Sequence, residues 1–146
     1  MKISTRGRYG LRAMADLASR GGGESVKLNS IAERQGIPEH YLEQLAAALK
    51  KAGFIGSVRG SKGGYHLRKP PQEISVGDIL RALEGPLYPV DCVSDDGDAS
   101  CGAADCANCV AKPVWEKIYG SLSGVVDSIT LKDLIRPEPD GDDRDE

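Results

Sequence analysis

Apolar residues early in the chain recur at helical spacing, with Leu11, Met14, Leu17 and Ala18 on one face. Ser4 or Thr5 can cap this first helix, and the run Gly21-Gly22-Gly23 ends it. A short second helix is expected, with Asn29 or Ser30 near its start and Gly36 just past its end. The stretch "IPEHYLEQLAAALKKAG" follows. Pro38 suits the first turn of a helix, where its missing N–H is not needed. Gly53 stands where a left-handed cap is expected. Leu42, Leu45, Leu49 and Ala52 form the apolar stripe of this third helix. His40, Glu43, Gln44, Ala47, Lys50 and Lys51 mostly face elsewhere.

The period then changes. "FIGSV" and "GYHL" read as two short strands, joined by the basic, glycine-rich tip "RGSKG". Three helices followed by a basic hairpin outline a winged helix-turn-helix, with the helix from Pro38 in the recognition position. Ser75 and Asp78 form a capping box ahead of Val76, Ile79, Leu80 and Leu83, and Gly85-Pro86 closes that helix. A long last helix starts near Pro113. Its apolar positions are Trp115, Ile118, Leu122, Val125 or Val126, and Ile129, a seam of about 3.5 residues per step that suits a partner helix. The plainer alternative is packing on its own domain. Dimerisation is the expectation, because the amino-terminal part already carries its own core stripes. Thr130 can cap a last short turn, "LKDLI".

These elements give a mostly α fold with a small β-hairpin wing: a winged helix-turn-helix domain plus a long carboxy-terminal dimerisation helix. The expected units are a DNA-binding domain over 1–85, a cysteine-rich loop over 86–112, and a dimerisation helix with a short cap helix over 113–136. The acidic tail, 137–146, has almost no apolar residues and is expected to be disordered.

Length and charge narrow the function. The 146 residues suit one domain whose core needs no disulfide. No run approaches the roughly 18 apolar residues of a membrane span. The start lacks the apolar core of a secretion signal, so a cytoplasmic protein is expected. The net charge of −3 hides an asymmetry. Residues 1–69 hold 13 Lys/Arg against 5 Asp/Glu, whereas residues 91–146 hold 5 against 14. Only the first half therefore suits a polyanion.

The expected DNA-facing set follows from that half. A helix in the major groove reads base edges with exposed side chains. His40, Tyr41, Glu43 and Gln44 stand on the third helix; Gln can pair with adenine, and Glu can accept from cytosine. Arg59 and Lys62 in the wing suit phosphates or the narrow minor groove. Gly60, Ser61, Gly63 and Gly64 complete the tip, where glycines allow close approach to DNA. Arg6, Arg8, Tyr9 and Arg12 lie at the amino terminus. No nucleophile–base pair and no phosphate-cradling loop points to an enzyme.

All four cysteines fall in "DCVSDDGDASCGAADCANCVAKPVW": Cys92, Cys101, Cys106 and Cys109, separated by eight, four and two residues. In a reducing compartment such a cluster is more often a metal or redox site than a disulfide. Only Cys106 and Cys109 form the close pair typical of structural zinc. A reactive-thiol sensor needs one or two low-pKa cysteines, and the acidic surroundings of these four argue against it. Spacing alone leaves zinc and an iron–sulfur cluster open.

"MKISTRGRYGLRAM", "YLEQL", "SVRGSKGGYHL", "ISVGDILRALEG" and "CVAKPVW" together resemble the Rrf-two family of bacterial transcriptional regulators, over roughly residues 1–136. The resemblance implies a homodimeric winged-helix repressor or activator on palindromic double-stranded DNA operators, with the long last helix crossing between subunits. It implies sequence reading by Glu43 and Arg59. IscR-like members bind a 2Fe–2S cluster through three cysteines and a histidine, which would make Cys92, Cys101 or Cys106, and Cys109 ligands here. The histidine position falls on Lys112, whose ammonium has no lone pair for iron. Either Cys106 supplies the fourth ligand, in an all-thiolate site of low potential, or a residue from elsewhere, such as across the dimer, completes the shell. A repressor of iron–sulfur assembly or sulfur metabolism genes, sensing cluster or redox state, is the leading expectation. "RALEGPLYPV" looks close to CymR-type members, which implies the alternative of a cluster-free regulator of cysteine or sulfur metabolism answering to a partner enzyme. A zinc-stapled interaction protein is the third reading.

Overall fold

The computed structural model describes residues 2–20, 24–94 and 107–135. Helices α1 (Thr5–Arg20), α2 (Leu28–Gln35) and α3 (Glu39–Lys51) lead into a hairpin of β1 (Ile55–Val58) and β2 (Gly64–Leu67). Then come α4 (Val76–Glu84), α5 (Lys112–Ser128) and α6 (Leu131–Leu134). The architecture is the expected mostly helical winged helix-turn-helix.

Local chemistry sets the element ends. Ser4, not Thr5, caps α1: its hydroxyl accepts from the Arg6 N–H at 3.2 Å. Gly21 to Gly23 lie outside the described residues. Asn29 and Ser30 sit inside the first turn of α2, which begins at Leu28 without a side-chain cap. Gly36 ends α2 with φ 64°, a left-handed conformation that costs glycine little. Pro38 lies one residue before α3. At the other end of α3, the Phe54 N–H reaches back to the Leu49 carbonyl at 3.1 Å and Gly53 to Lys50 at 3.0 Å, a Schellman closure. Ala52 is exposed because it stands past the last helical residue; Ala46 takes its place in the buried stripe with Leu42, Leu45 and Leu49.

One core joins these elements. Met14 and Leu17 of α1, Ile31 of α2, the α3 leucines, Ile55 of β1 and Ile79 and Leu83 of α4 are buried together. The α1–α4 approach is close because Gly10 lacks a Cβ, which would overlap the Leu83 side chain. In the hairpin, Ile55 pairs with Leu67 and Val58 with Gly64. Val26 adds a short third rung: its N–H and carbonyl each bond Tyr65 at 2.8 Å. That rung is too short to show as a strand in the sequence.

The chain after the cysteine segment returns to this domain. Val126 of α5 packs with Val76 and Leu80 of α4 and with Leu87, joined by Leu122 and Ile129. At this crossing a Cβ on Gly77 would overlap the Asp127 carboxylate. Arg81 of α4 grips Asp127 of α5 with contacts of 2.7 and 3.0 Å. The Val76 N–H bonds the Ile129 carbonyl at 2.8 Å, and the Leu131 N–H bonds Ile74 at 2.9 Å. Leu131 is fully buried in the main core. The Asp133 carboxylate accepts from the Thr130 N–H at 2.9 Å, which starts α6.

The expected seam of α5 therefore divides. Leu122, Val126 and Ile129 meet the chain's own domain, and Trp115 is half-buried. Ile118 and Val125 are 38% and 58% exposed, with Val114 at 53% on the same side. An apolar band wide enough for two faces covers both the intramolecular contact and an open stripe. Among the described residues, no helix is long and apolar enough to cross a membrane.

Candidate nucleic-acid interface

Helix α3 presents its polar face outward. Its helix-favouring Ala, Leu, Glu and Lys residues make the segment stable in this role. The buried leucines fix its rotation, so His40, Glu43 and Gln44 are exposed together. Tyr41 is different. It is half-buried, its hydroxyl lies 3.2 Å from Thr5 Oγ1, and its ring meets the Tyr9 ring edge-on at 5.8 Å. Tyr9 in turn lies under the Arg12 guanidinium, 5.2 Å from its centroid, and Arg12 also donates to the Gln35 carbonyl. Tyr9 and Tyr41 thus belong to the joint between α1 and α3, beside the exposed reading residues.

The opposite end of α3 is tied to the wing. Lys50 donates to the Ser57 hydroxyl at 2.7 Å. Arg59, Gly60, Ser61 and Lys62 are exposed at the tip. Gly60 has φ 110°, which turns the chain. Gly63 is buried, and a Cβ there would overlap the Val58 carbonyl; Gly64 likewise lies against Val26. Folding of the hairpin itself therefore requires the last two glycines, whatever the wing touches.

Arg6 and Arg8 are exposed on the first turn of α1. Arg6 Nε donates to the Leu83 carbonyl at 3.0 Å, which orients its guanidinium. Glu84 caps the same turn: one carboxylate oxygen accepts from Ser4 N–H at 2.8 Å, Ser4 Oγ at 2.6 Å and Gly7 N–H at 3.0 Å. The Ser4 hydrogen bond and the two backbone donors hold the Glu84 carboxyl below the ordinary glutamate range, against a smaller desolvation effect. Arg6, the α3 face and the wing are thus placed by contacts with named partners.

The joint between α1 and α2 contains the one buried charge of the described core, Asp16. Burial pushes its carboxyl up, but hydrogen bonds from Arg34 and Gln35 and the charges of Arg34 and Arg20 outweigh that and hold it below its ordinary value. Sequence reasoning offers Thr5 only as a helix cap and singles out neither Asp16 nor Glu84. Asp16 left a signal: a carboxylate between the buried Ala13 and Leu17 needs a partner. Glu84 and Thr5 left none, because their partners are distant in the chain.

The cysteine segment is reached at both ends. Cys92 lies in a single 3-10 turn, Asp91–Val93, that packs against α5. Cys109 lies just ahead of α5, and its carbonyl accepts from the Lys112 N–H at 3.2 Å. Both are half-buried. Cys101 and Cys106 lie outside the described residues. Thiolates are suitable donors for iron–sulfur clusters or zinc. Lys112, the first residue of α5, supplies no lone pair. Among the described residues no group of three His, Cys, Asp or Glu side chains could hold a metal. A set of three or more ligands that includes Cys92 and Cys109 therefore draws on at least one residue outside the described ones, such as Cys101 or Cys106. The two histidines lie elsewhere, His40 exposed on α3 and His66 on β2 with its ring over Gly56.

Known proteins share this fold. The family model Rrf2, described as an iron-dependent transcriptional regulator, matches residues 3–137. The transcriptional regulator CymR of Bacillus subtilis is 43% identical over 134 residues, 92% of this chain and 89% of that protein. IscR of Photobacterium profundum is 38% identical over 136 residues, 93% and 76% of the two chains. Among solved structures, that of B. subtilis CymR, described as the global cysteine regulator, superposes with a TM-score of 0.75 at 41% identity, covering 92% of this chain and 95% of that one. T. potens IscR gives 0.71 at 50% identity, covering 92% and 85%. This chain belongs to the Rrf2 family of DNA-binding transcriptional regulators and is not an enzyme.

Proposed function

We propose that the protein is a cytoplasmic, homodimeric repressor of the CymR kind, acting on genes of cysteine or sulfur metabolism. One observation carries the DNA-reading part. Exposed Glu43 and Gln44 stand on a helix whose ends are tied to the cationic turn of α1 and to the Arg59–Lys62 wing. In this reading α3 enters the major groove and each wing tip meets phosphate or minor groove. Residues 1–85 read DNA, and α5 joins two copies through the stripe it leaves open, Val114, Ile118 and Val125, with Trp115 beside it; Leu122 and Ile129 are used within the chain. The segment 86–112 links these two parts; the acidic tail, 137–146, expected to be disordered, lies outside the described residues. Two half-sites about one DNA turn apart, roughly 34–36 Å, then match a two-fold dimer. The similarity to CymR supports the sulfur-metabolism assignment and regulation without a bound cluster.

A second reading has a specific observation behind it. Cys92 and Cys109 both adjoin α5, at the two ends of a segment holding four thiols, and T. potens IscR is 50% identical. In that reading Cys92, Cys101, Cys106 and Cys109 hold a 2Fe–2S cluster, whose redox change would be the signal. The chain's own part is then to transmit a shift at α5 through the Arg81–Asp127 contact to α4. Zinc in the same thiols is the third possibility.

The deciding measurement is the visible spectrum and the metal and sulfide content of anaerobically purified protein. Colourless, metal-free protein after cluster reconstitution is the expected result. Brown protein with iron and sulfide would replace it with the cluster reading. Colourless protein with about one zinc per chain would indicate a thiolate zinc site. The Cys106→Ala spectrum then separates three-thiolate from four-thiolate ligation.

A further inference from the structure

We propose that Glu84, which lies away from the exposed face of α3, is a positioning residue for DNA sequence reading, acting across the first turn of α1 on Tyr41. The inference rests on the DNA-reading role of α3 proposed above. Glu84 is the last residue of α4, next to Gly85, where the chain turns with φ 84° towards the cysteine segment. A single carboxylate oxygen of Glu84 gathers the Ser4 N–H, the Ser4 hydroxyl and the Gly7 N–H. The Leu83 carbonyl beside it takes Arg6 Nε. Four donors from the start of α1 thus converge on two consecutive residues of α4. The approach is possible because Gly7 has no side chain: a Cβ there would stand 2.6 Å from the same Glu84 oxygen.

Thr5 sits between the residues held in this way. Its hydroxyl meets the Tyr41 hydroxyl at 3.2 Å, and Tyr9, one turn on, holds the Tyr41 ring edge-on. Tyr41 is on the first turn of α3, directly before Leu42, Glu43 and Gln44. Glu84 therefore sets where the first turn of α1 lies, and that turn sets where the reading end of α3 begins. Charge-assisted hydrogen bonds to a carboxylate are roughly twice as strong as neutral ones, so this anchor is stiffer than the surface serine suggests.

The sign of the effect separates positioning from charge. Glu84 is an anion on the side of the molecule that carries Arg6 and Arg8. If charge were its only influence, removing it would tighten binding to every DNA sequence alike, because phosphate attraction ignores sequence. A positioning residue acts instead on the ratio between a cognate and a shuffled duplex.

The test uses full-length protein and a duplex enriched by the wild type from a random library, with its shuffled counterpart as control. Glu84→Ala is expected to lower the cognate-to-shuffled affinity ratio on the order of 5–10-fold, near the lower end of coupling between sites. Glu84→Gln, whose amide oxygen accepts from the same donors, is expected to restore most of it. Tyr41→Phe, which keeps the ring and removes the hydroxyl, should be non-additive with Glu84→Ala in a double-mutant cycle. Ser4→Ala serves as the milder variant if Glu84→Ala does not fold, and is expected to lose part of the ratio. An unchanged ratio in the folded variants, or equal tightening on both duplexes, overturns the proposal. Failure of the wild type to enrich any duplex instead removes the DNA-reading role, and this inference with it.

Discussion

The Arg34 guanidinium holds the Asp16 carboxylate in a fork, Nη2 to Oδ1 at 2.7 Å and Nε to Oδ2 at 3.0 Å, and so fastens α2 to α1. The Asp16 side chain is almost fully buried, whereas that of Arg34 is 30% exposed. Removing Asp16 leaves a cation that water can partly solvate, which limits the loss. Asp16→Asn is expected to cost about 2–3 kcal/mol, at or just below the usual range for breaking a buried pair. Urea unfolding measures it. The pH dependence has a definite sign. The folded pKa lies below the ordinary aspartate value of about 3.9, so the stabilisation is fully present above that value. It is lost as pH falls through the lower folded value. The gap between wild type and Asp16→Asn should therefore close on acidification below about pH 4.

Leu131 comes after the long helix yet lies at 0% exposure beside Ile74 and Ile79. Leu131→Ala is expected to destabilise the winged domain by about 2–5 kcal/mol, the usual range for a truncated core leucine. A single, lowered melting transition checks this. An unchanged transition for the DNA-binding part would detach α6 from its core.

Gly77 and Asp127 meet where α5 crosses α4. Asp127→Asn weakens a half-exposed ion pair and should cost no more than about 1 kcal/mol. Gly77→Ala forces a methyl into Asp127 and Val126 and should cost about 1–3 kcal/mol, as overpacking does. The expected order, glycine variant less stable than aspartate variant, is read by thermal unfolding of both.

On DNA, Glu43→Ala is expected to relax base preference and leave overall affinity largely intact. Lys62→Ala should weaken all sequences alike and shallow the log–log salt slope by about 0.9, one phosphate contact. Fluorescence anisotropy against cognate and shuffled duplexes over a salt series distinguishes the two outcomes.

The open stripe of Val114, Ile118 and Val125 tests the proposed dimer. Ile118→Glu places a carboxylate at its centre and is expected to shift sedimentation from dimer to monomer. It should leave the monomer folded, because Leu122 and Val126 make the intramolecular contact. A dimer that survives the substitution would move the interface elsewhere.

Much of the fold was legible because its signals are local. The stripe Leu42, Leu45, Leu49, the left-handed glycines at 36 and 53, and the Ser75–Asp78 capping box each depend on residues a few positions apart. The exposed faces of α3 and the wing tip followed from the same periodicity. The Val26 rung and the Ser75–Thr130 bridge were not legible, because each pairs distant residues through backbone groups that carry no side-chain code.

The sequence alone thus determined the element order, the recognition position of α3, the basic half and the clustering of thiols. Helical period, turn chemistry and charge act over short distances and survive without a partner. The tertiary structure decided which of those residues are free to act. It turned Tyr41 towards Thr5, gave Gly63 and Gly64 to the hairpin, divided the α5 seam, and brought Glu84 to the start of α1. Each of these outcomes depends on where a side chain meets an element far away in the chain, and only close packing of the whole core sets that distance.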